Sequence, residues 1–396
     1  MTLFRTVLII LIAVTISANY RPIQEQVHTG IYWVNQKNET IADALFEVNR
    51  VLFNGTEFDK ERLTKHAIYT SYPSVVMIST RSTAPTVPGG GIGTGFFVKV
   101  DEDHAWIVTN NHVIGQANTQ PGLWNITVNT GMDMWTYEAE IVGVDEIADI
   151  ALLKIAKQDN EGWEILEWED PKNIGAGNPV TVVGHGMSLP WTSTSGIISY
   201  SGRWGSRPYS MMLQVDAVIN QGNSGGPIIG SNGKVVGVAQ SILSPGRTIP
   251  GWDGIGMAVS SEQAQRSINY IMSPQYIAKG YVPYAEYPFS LGTFELDDVY
   301  DIDPKDRNYS FFDYSKQTDE TLITVGEVAG LLQDDILLEV DGEKITSSFS
   351  VLKRTVLAFP GDEWNVKVLR DNKEVSITVA LREMDRDQLL SLLNLR

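Results

Sequence analysis

Cysteine is absent from this 396-residue chain. Its absence excludes disulfides, a thiol nucleophile and thiolate metal sites, and it suits a periplasmic or a cytosolic setting equally. Positive charge is scarce: 30 Lys and Arg stand against 48 Asp and Glu, a formal net charge of -18. That balance argues against nucleic acid or an anionic membrane as a main partner and favours solubility. Long hydrophobic runs are also missing. The most apolar stretch, Val7 to Val14 extended by Thr15 and Ile16, falls short of the roughly twenty residues a spanning helix needs. The glycine-rich run Pro88 to Gly95 has no Gly-Lys-Ser/Thr behind it and no helical pattern, so it reads as a turn rather than a phosphate loop.

The N-terminus carries an export pattern. Arg5 precedes the apolar run, and small Ser17 and Ala18 follow it, as in a secretory signal. Ile16 fits the small-x-small cleavage pattern poorly, which keeps an uncleaved anchor open beside a signal peptide. Beyond it, Ile41, Leu45, Val48 and Leu52 predict an amphipathic helix over Asn38 to Phe53, and a second short helix is expected over Asp59 to Ala67. From Ser74 the texture turns to β. Short apolar stretches such as Val75 to Ile78, Trp106 to Thr109, Ile150 to Ile155 and Val235 to Ala239 alternate with Gly and Pro turns, as in an all-β barrel or sandwich. Ser261 to Met272 reads as a helix closing this domain. Residues 273–289 hold prolines and aromatics without periodicity, which suggests a linker. The last hundred residues read as a smaller unit: a strand with a tight Asp341-Gly342 turn, a helix Ser348 to Ala358, strands Trp364 to Leu369 and Glu374 to Ala380, and a short helix within Leu389 to Leu395.

Three stretches carry chemistry. In Gly222-Asn223-Ser224-Gly225-Gly226-Pro227 a serine lies among turn-forming residues, where its hydroxyl can be exposed and nearby backbone N–H groups can converge on a developing oxyanion. Alone this is only a glycine-rich loop containing serine. Thr109-Asn110-Asn111-His112-Val113-Ile114 supplies an imidazole, and Ala148-Asp149-Ile150-Ala151-Leu152-Leu153 a carboxylate opening an apolar strand. Serine needs a base to take its proton, and the imidazole needs a buried carboxylate to fix its tautomer. The order His, Asp, Ser is that of the chymotrypsin-type double β-barrel, not of the α/β-hydrolases with their Gly-x-Ser-x-Gly elbow. The three together point to a serine protease.

From about Ser74 to Arg382 the chain resembles the HtrA (Deg) family, in which a chymotrypsin-like domain precedes a PDZ domain. The Thr-Asn-Asn-His-Val, Asp-Ile-Ala-Leu-Leu and Gly-Asn-Ser-Gly-Gly stretches carry the likeness, with echoes at Thr194 to Ser199 and Gln214 to Asn220. The resemblance implies a mostly β protein: residues 1–19 a signal peptide or N-terminal anchor, 20–72 a helical extension, 73–273 a chymotrypsin-like double β-barrel protease domain, 274–289 a linker, 290–385 a PDZ-like domain and 386–396 a tail. It implies His112 as general base and acid, Asp149 as orienting carboxylate and Ser224 as nucleophile. The oxyanion hole would be the N–H groups of Gly222 and Ser224, with Asn223 close by.

The pocket before the cleaved bond is, by resemblance, lined by Ile219 and by Gln240, Ser241 and Ile242. Without a carboxylate at its base it favours small aliphatic side chains over Lys or Arg. Residues 240–242 would pair as an edge strand with an extended substrate. The PDZ-like carboxylate loop would be Ser290-Leu291-Gly292-Thr293, and the polar stretch Asp301 to Glu320 departs from the family. Other titratable residues read as structural. His104 sits in the acidic turn Asp101 to Asp103, and His28 and His66 lie in the extension. His185, between Gly184 and Gly186, stands where the family often has Asn-Pro and reads as a loop residue or a pH-sensitive element. Asp145 and Glu146 neighbour Asp149 without opening its strand. No metal or cofactor is implied. The expected activity is exported endopeptidase action on unfolded or damaged proteins, with C-terminal peptides at the PDZ-like domain, in a homotrimer or higher oligomer of the cell envelope. The alternative is a peptide-sensing scaffold or chaperone with dormant proteolysis.

Overall fold

In the first described strand Val76 and Ile78 alternate with half-buried Met77 and Ser79, the period-two pattern that sends alternate side chains to opposite faces. The computed structural model describes residues 57–84, 89–131, 135–157, 163–204, 209–242, 255–286, 324–325, 330–332, 335–345, 348–371 and 373–392. The leader, the Asn38 to Phe53 helix, His28, the loop Ser290 to Thr293 and the stretch Asp301 to Glu320 lie outside them. Residues 64–396 form one compact unit.

After helix α1 (Glu57–Ser71), strands β1 (Val75–Ser82), β2 (Gly90–Val100) and β3 (His104–Thr109) lead to helix α2 (Asn111–Thr119), then β4 (Trp124–Thr130), β5 (Trp135–Asp145) and β6 (Ile150–Ala156). These strands close into a barrel of order β1-β2-β3-β6-β5-β4. A second closed barrel, β10-β11-β12-β9-β8-β7, is made by β7 (Pro179–Gly184), β8 (Thr192–Trp204), β9 (Met211–Val215), β10 (Pro227–Gly230), β11 (Val235–Ile242) and β12 (Gly256–Ser260). The expected double barrel is therefore present.

Each barrel encloses its own core, and a third apolar cluster lies between them. Ile107 and Leu153 face the interior of the first barrel; their neighbours Val108 and Leu152 face a cluster shared with Val183, Ile229, Val235 and Val259 of the second. Strands buried on both faces at this seam explain why Ala151-Leu152-Leu153 is a continuous apolar run rather than an alternation. His112, Asp149 and Ser224 all sit at strand ends along the seam, just after β3, just before β6 and just before β10.

Helix α3 (Ser261–Ile271) closes the second barrel, with Ser260 Oγ accepting from the Gln263 N–H at 3.3 Å as its N-cap. The segment read as a linker opens with a further helix, α4 (Pro274–Lys279), stopped by Gly280 at φ 75°. It is packed, not loose: Tyr276 OH meets the Val144 N–H at 2.8 Å. The smaller unit contains β13 (Thr324–Val325), β14 (Asp335–Val340), β15 (Glu343–Lys344), helix α5 (Ser348–Leu357), β16 (Glu363–Arg370), β17 (Lys373–Ala380) and helix α6 (Arg386–Leu392). Its sheet runs β13-β14-β16-β17 with β15 beside β14, over a core that includes Leu337, Val351, Trp364 and Val366. Asp341 and Gly342 both take positive φ, as the expected two-residue turn requires.

Candidate active site

Asp149 is 1% exposed and holds His112 twice. Its Oδ2 lies 2.7 Å from His112 Nδ1, and its Oδ1 accepts the His112 backbone N–H at 2.9 Å. The imidazole side chain itself is 43% exposed, so its other nitrogen is open to a reacting partner. Asp149 takes φ 57°, an unusual conformation for a residue with a Cβ. Its carbonyl is fixed there by Asn110 Nδ2 at 3.0 Å and the Asn111 N–H at 3.1 Å. Helix α2, which carries His112 in its first turn, was not foreseen. Its sequence is rich in Asn, Gly and β-branched residues, and only Ile114 and Ala117 mark a buried face.

Ser224 sits in a turn tied to the first barrel: its carbonyl accepts the Thr94 N–H at 2.8 Å. The next residue must be glycine. Gly225 has φ 85°, and a Cβ there would lie 2.2 Å from both Thr94 O and Thr109 Oγ1. This close approach brings the serine turn against the Thr109-Asn110 segment that leads into His112. The Ser224 hydroxyl donates to the Gln240 carbonyl at 3.0 Å rather than pointing to the imidazole.

Gly222 is also constrained to glycine, with φ 100° and a Cβ position 2.4 Å from His185 O. The Gln221 carbonyl accepts the Met187 N–H at 2.7 Å. A trans peptide sends its C=O and N–H in opposite directions, so the Gly222 N–H points away from that loop. Among the described residues neither the Gly222 nor the Ser224 N–H has a main-chain partner. Asn223, expected close by the hole, lies between these two residues in the turn. Its N–H is engaged by Asn220 O at 3.0 Å, and its side chain is fully buried beside Gly184 and Gly186. Both its amide atoms lack a partner among the described residues.

Ile219 is 2% exposed and sits against Gly256, where an added Cβ would lie 2.9 Å from its Cδ1. Gln240 lies on β11 beyond the Pro227–Val238 pair, where β11 has left β10 but still pairs β12 through Ser241 and Ile242. The side chains of Ser241 and Ile242 lie outside the described residues.

His185 is fully buried, edge-to-face against Trp191 with ring centroids 5.2 Å apart. Burial pushes its pKa down to about 4; the ring lies beside the Val76 main chain, and Nε2 has no hydrogen bond of proper geometry. His104 opens β3 and tilts against Trp106, and His66 lies on α1. Asp145 is as buried as Asp149, which the sequence did not announce. Burial raises its pKa, against the opposing hydrogen bonds of Ser267, the Ala148 N–H and Tyr284 and the charge of Arg266.

A hydroxyl in a tight turn, an imidazole on a buried carboxylate and two free N–H groups suit acyl transfer. A trypsin-like peptidase domain model matches residues 93–238, and a PDZ domain model matches residues 326–381. A relative from Bartonella henselae, named a probable periplasmic serine endoprotease DegP-like, is 30% identical over 302 residues, 75% of this chain and 54% of its own. A Chlamydia trachomatis relative of the same name is 30% identical over 306 residues, 76% of this chain and 56% of its own. The chain thus spans about half the length of the curated relatives it matches. Among solved structures, the HtrA-type protease AlgW with tripeptide has TM-score 0.57 at 24% identity, covering 81% of this chain and 97% of that one. AlgW with decapeptide has TM-score 0.55 at 24% identity, covering 81% and 98%. These likenesses make the two barrels a chymotrypsin-like fold.

Proposed function

We propose that the chain is an exported serine endopeptidase that cleaves unfolded or damaged proteins through an acyl-enzyme formed on Ser224. The observation that carries this reading is the double hold of buried Asp149 on His112 beside the Ser224 turn. In the cycle, the Ser224 hydroxyl leaves Gln240 O and passes its proton to His112 Nε2 as Oγ attacks the scissile carbonyl. Asp149, accepting from Nδ1–H, stabilises the imidazolium. The N–H groups of Gly222 and Ser224 hold the oxyanion, and the imidazolium returns its proton to the leaving amine. Water then repeats the sequence and frees the acid.

The half-open edge of β11 at residues 240–242 suits an extended peptide. The apolar Ile219 favours small aliphatic side chains before the cleaved bond. The PDZ domain would bind peptide C-termini or regulate the barrels. Export is supported by the apolar segment after Arg5 and by relatives named periplasmic; assembly as a homotrimer or higher oligomer rests on the resemblance alone. The Ser224 hydroxyl's bond to Gln240 O favours a second reading, a peptide-sensing scaffold whose proteolysis is dormant until the hydroxyl is released.

Fluorophosphonate labelling of the purified full chain tests both, with Ser224→Ala alongside and with or without an apolar C-terminal peptide. The wild type should label and Ser224→Ala should not. Labelling of Ser224→Ala at the wild-type rate would remove Ser224 as nucleophile. No labelling in either condition would leave the scaffold reading.

A further inference from the structure

Asp145 closes the turn that ends in Asp149. Its Oδ1 accepts the main-chain N–H groups of Ile147 and Ala148, each at 3.1 Å. The turn delivers Asp149 at φ 57°, a conformation that persists only where the surroundings hold it. The direction of the Asp149 carboxylate, and so its bond to His112, depends on that turn.

The other oxygen of Asp145 leads away from the site. Oδ2 accepts from Ser267 Oγ on α3 at 2.6 Å and from Tyr284 OH at 2.8 Å. Tyr284 lies between the barrels and the PDZ sheet, and its carbonyl accepts the Met384 N–H at 2.9 Å. Its neighbour Ala285 belongs to the PDZ core. Tyr284 OH in turn accepts from Gln263 Nε2 at 3.2 Å, and Gln263 Oε1 accepts the Met211 N–H of β9 at 2.6 Å. Asp145, Gln263, Ser267 and Tyr284 are each no more than 1% exposed. A polar network this far from water is costly unless every member is satisfied. The two Oδ1 bonds alone would close an exposed turn of this kind. Burying the carboxylate and tying it to a tyrosine from the interdomain segment is more than the turn itself requires.

We propose that Asp145 is a positioning residue for the Asp149–His112 pair, and that Tyr284, supplied by the segment leading into the PDZ domain, completes it. Asp145 touches no substrate and moves no proton in the cycle; it aims Asp149 by fixing the turn. Seating of the PDZ domain then becomes a condition for a correctly aimed carboxylate. The inference rests on the Ser224–His112–Asp149 reading above.

The test uses the full chain with Tyr284→Phe, which keeps the ring against Tyr209 and Arg266 and removes only the hydroxyl, together with Ser267→Ala and Asp145→Ala. Three quantities are read: kcat and KM on a peptide substrate, the thermal midpoint, and the far-downfield proton resonance of His112 Nδ1–H. Displacement of a catalytic group by an ångström costs about 10²-fold in rate. Asp145→Ala should approach that loss in kcat. Tyr284→Phe and Ser267→Ala should each lose roughly tenfold, a part of the same effect, with KM little changed and the resonance shifted or broadened. A lower midpoint with kcat and resonance unmoved in Tyr284→Phe would make the network purely structural and overturn the proposal. That variant decides the matter even where Asp145→Ala fails to fold. Were the wild type itself to show no turnover, the endopeptidase reading would fail on its own. The resonance of Tyr284→Phe against wild type would still decide the positioning role.

Discussion

Asp149 fixes both the place and the tautomer of His112, because one oxygen takes the backbone N–H and the other faces Nδ1. Replacing it with Asn separates these two jobs. The amide oxygen can still accept the backbone N–H, but the amide NH₂ then faces Nδ1 and requires an acceptor there. The imidazole proton moves to Nε2, where it blocks uptake of the serine proton. Asp149→Asn should therefore fold as the wild type does yet lose about 10⁴-fold in kcat. Loss of activity together with a large drop in thermal midpoint would instead mean that the carboxylate's charge holds the fold. The free N–H groups of Gly222 and Ser224 remain in that variant, so residual turnover above the uncatalysed rate is expected.

The loop between β7 and β8 holds the 221–222 peptide from outside the serine turn. Met187 and Trp191 in it take φ 55° and 54°, strained for residues with a Cβ, while the Met187 N–H grips Gln221 O. A chain of rings, His185–Trp191 at 5.2 Å, Trp191–Tyr72 at 6.5 Å and Tyr72–Tyr69 at 5.9 Å, runs from this loop to helix α1. His185 is buried neutral, with its pKa lowered from 6.5 to about 4 by desolvation and no charged partner behind the shift. Between those values the unfolded chain binds a proton that the folded chain refuses. Stability is thus complete above the unfolded value and is lost as pH falls toward the folded one, by about 3 kcal/mol in all. Urea midpoints measured from pH 7 to pH 4 should fall more steeply for the wild type than for His185→Phe. Identical slopes would show that His185 does not set this window. The motifs at the strand ends were legible in the sequence because the chemistry needs particular residues in short local runs. Two features were not. Helix α2 lacks a strong helical pattern, and Asp145 is buried by Ser267 and Tyr284, partners more than a hundred residues away in sequence. For a related reason the motif around Asn223 does not tell which way its side chain faces, which the packing of Gly184 and Gly186 shows.

At the scale of the whole molecule the PDZ unit is seated on helix α3 by one buried arginine. Arg266 is 7% exposed, donates through Nη2 to Pro283 O and Ala358 O at 2.7 Å each, and through Nε to Leu357 O at 3.2 Å. Leu357 and Ala358 end helix α5, where unpaired carbonyls and the negative end of the helix dipole favour a cation. The guanidinium also lies between rings, 4.4 Å from Tyr284 and 4.1 Å from Phe359. Around it, Lys353–Glu262 at 2.8 Å and Arg386–Glu146 at 3.2 Å are partly exposed pairs of small individual value. Val356 and Leu389 of the PDZ unit join the same apolar cluster as Ile268 and Ile271, so the contact has a core as well as a clasp. Removing the clasp leaves three carbonyls without a partner, at about 1–3 kcal/mol for each that water cannot reach. Arg266→Ala should therefore separate one thermal transition into two, the PDZ unit melting first, and speed amide exchange in α5 while α2 stays protected. Arg266→Lys should not restore the wild type, since an ammonium cannot reproduce the planar fork or its stacking. A single unshifted transition in Arg266→Ala would mean that the apolar contact alone seats the domain. In that event Tyr284 would keep its place against Asp145 without the arginine.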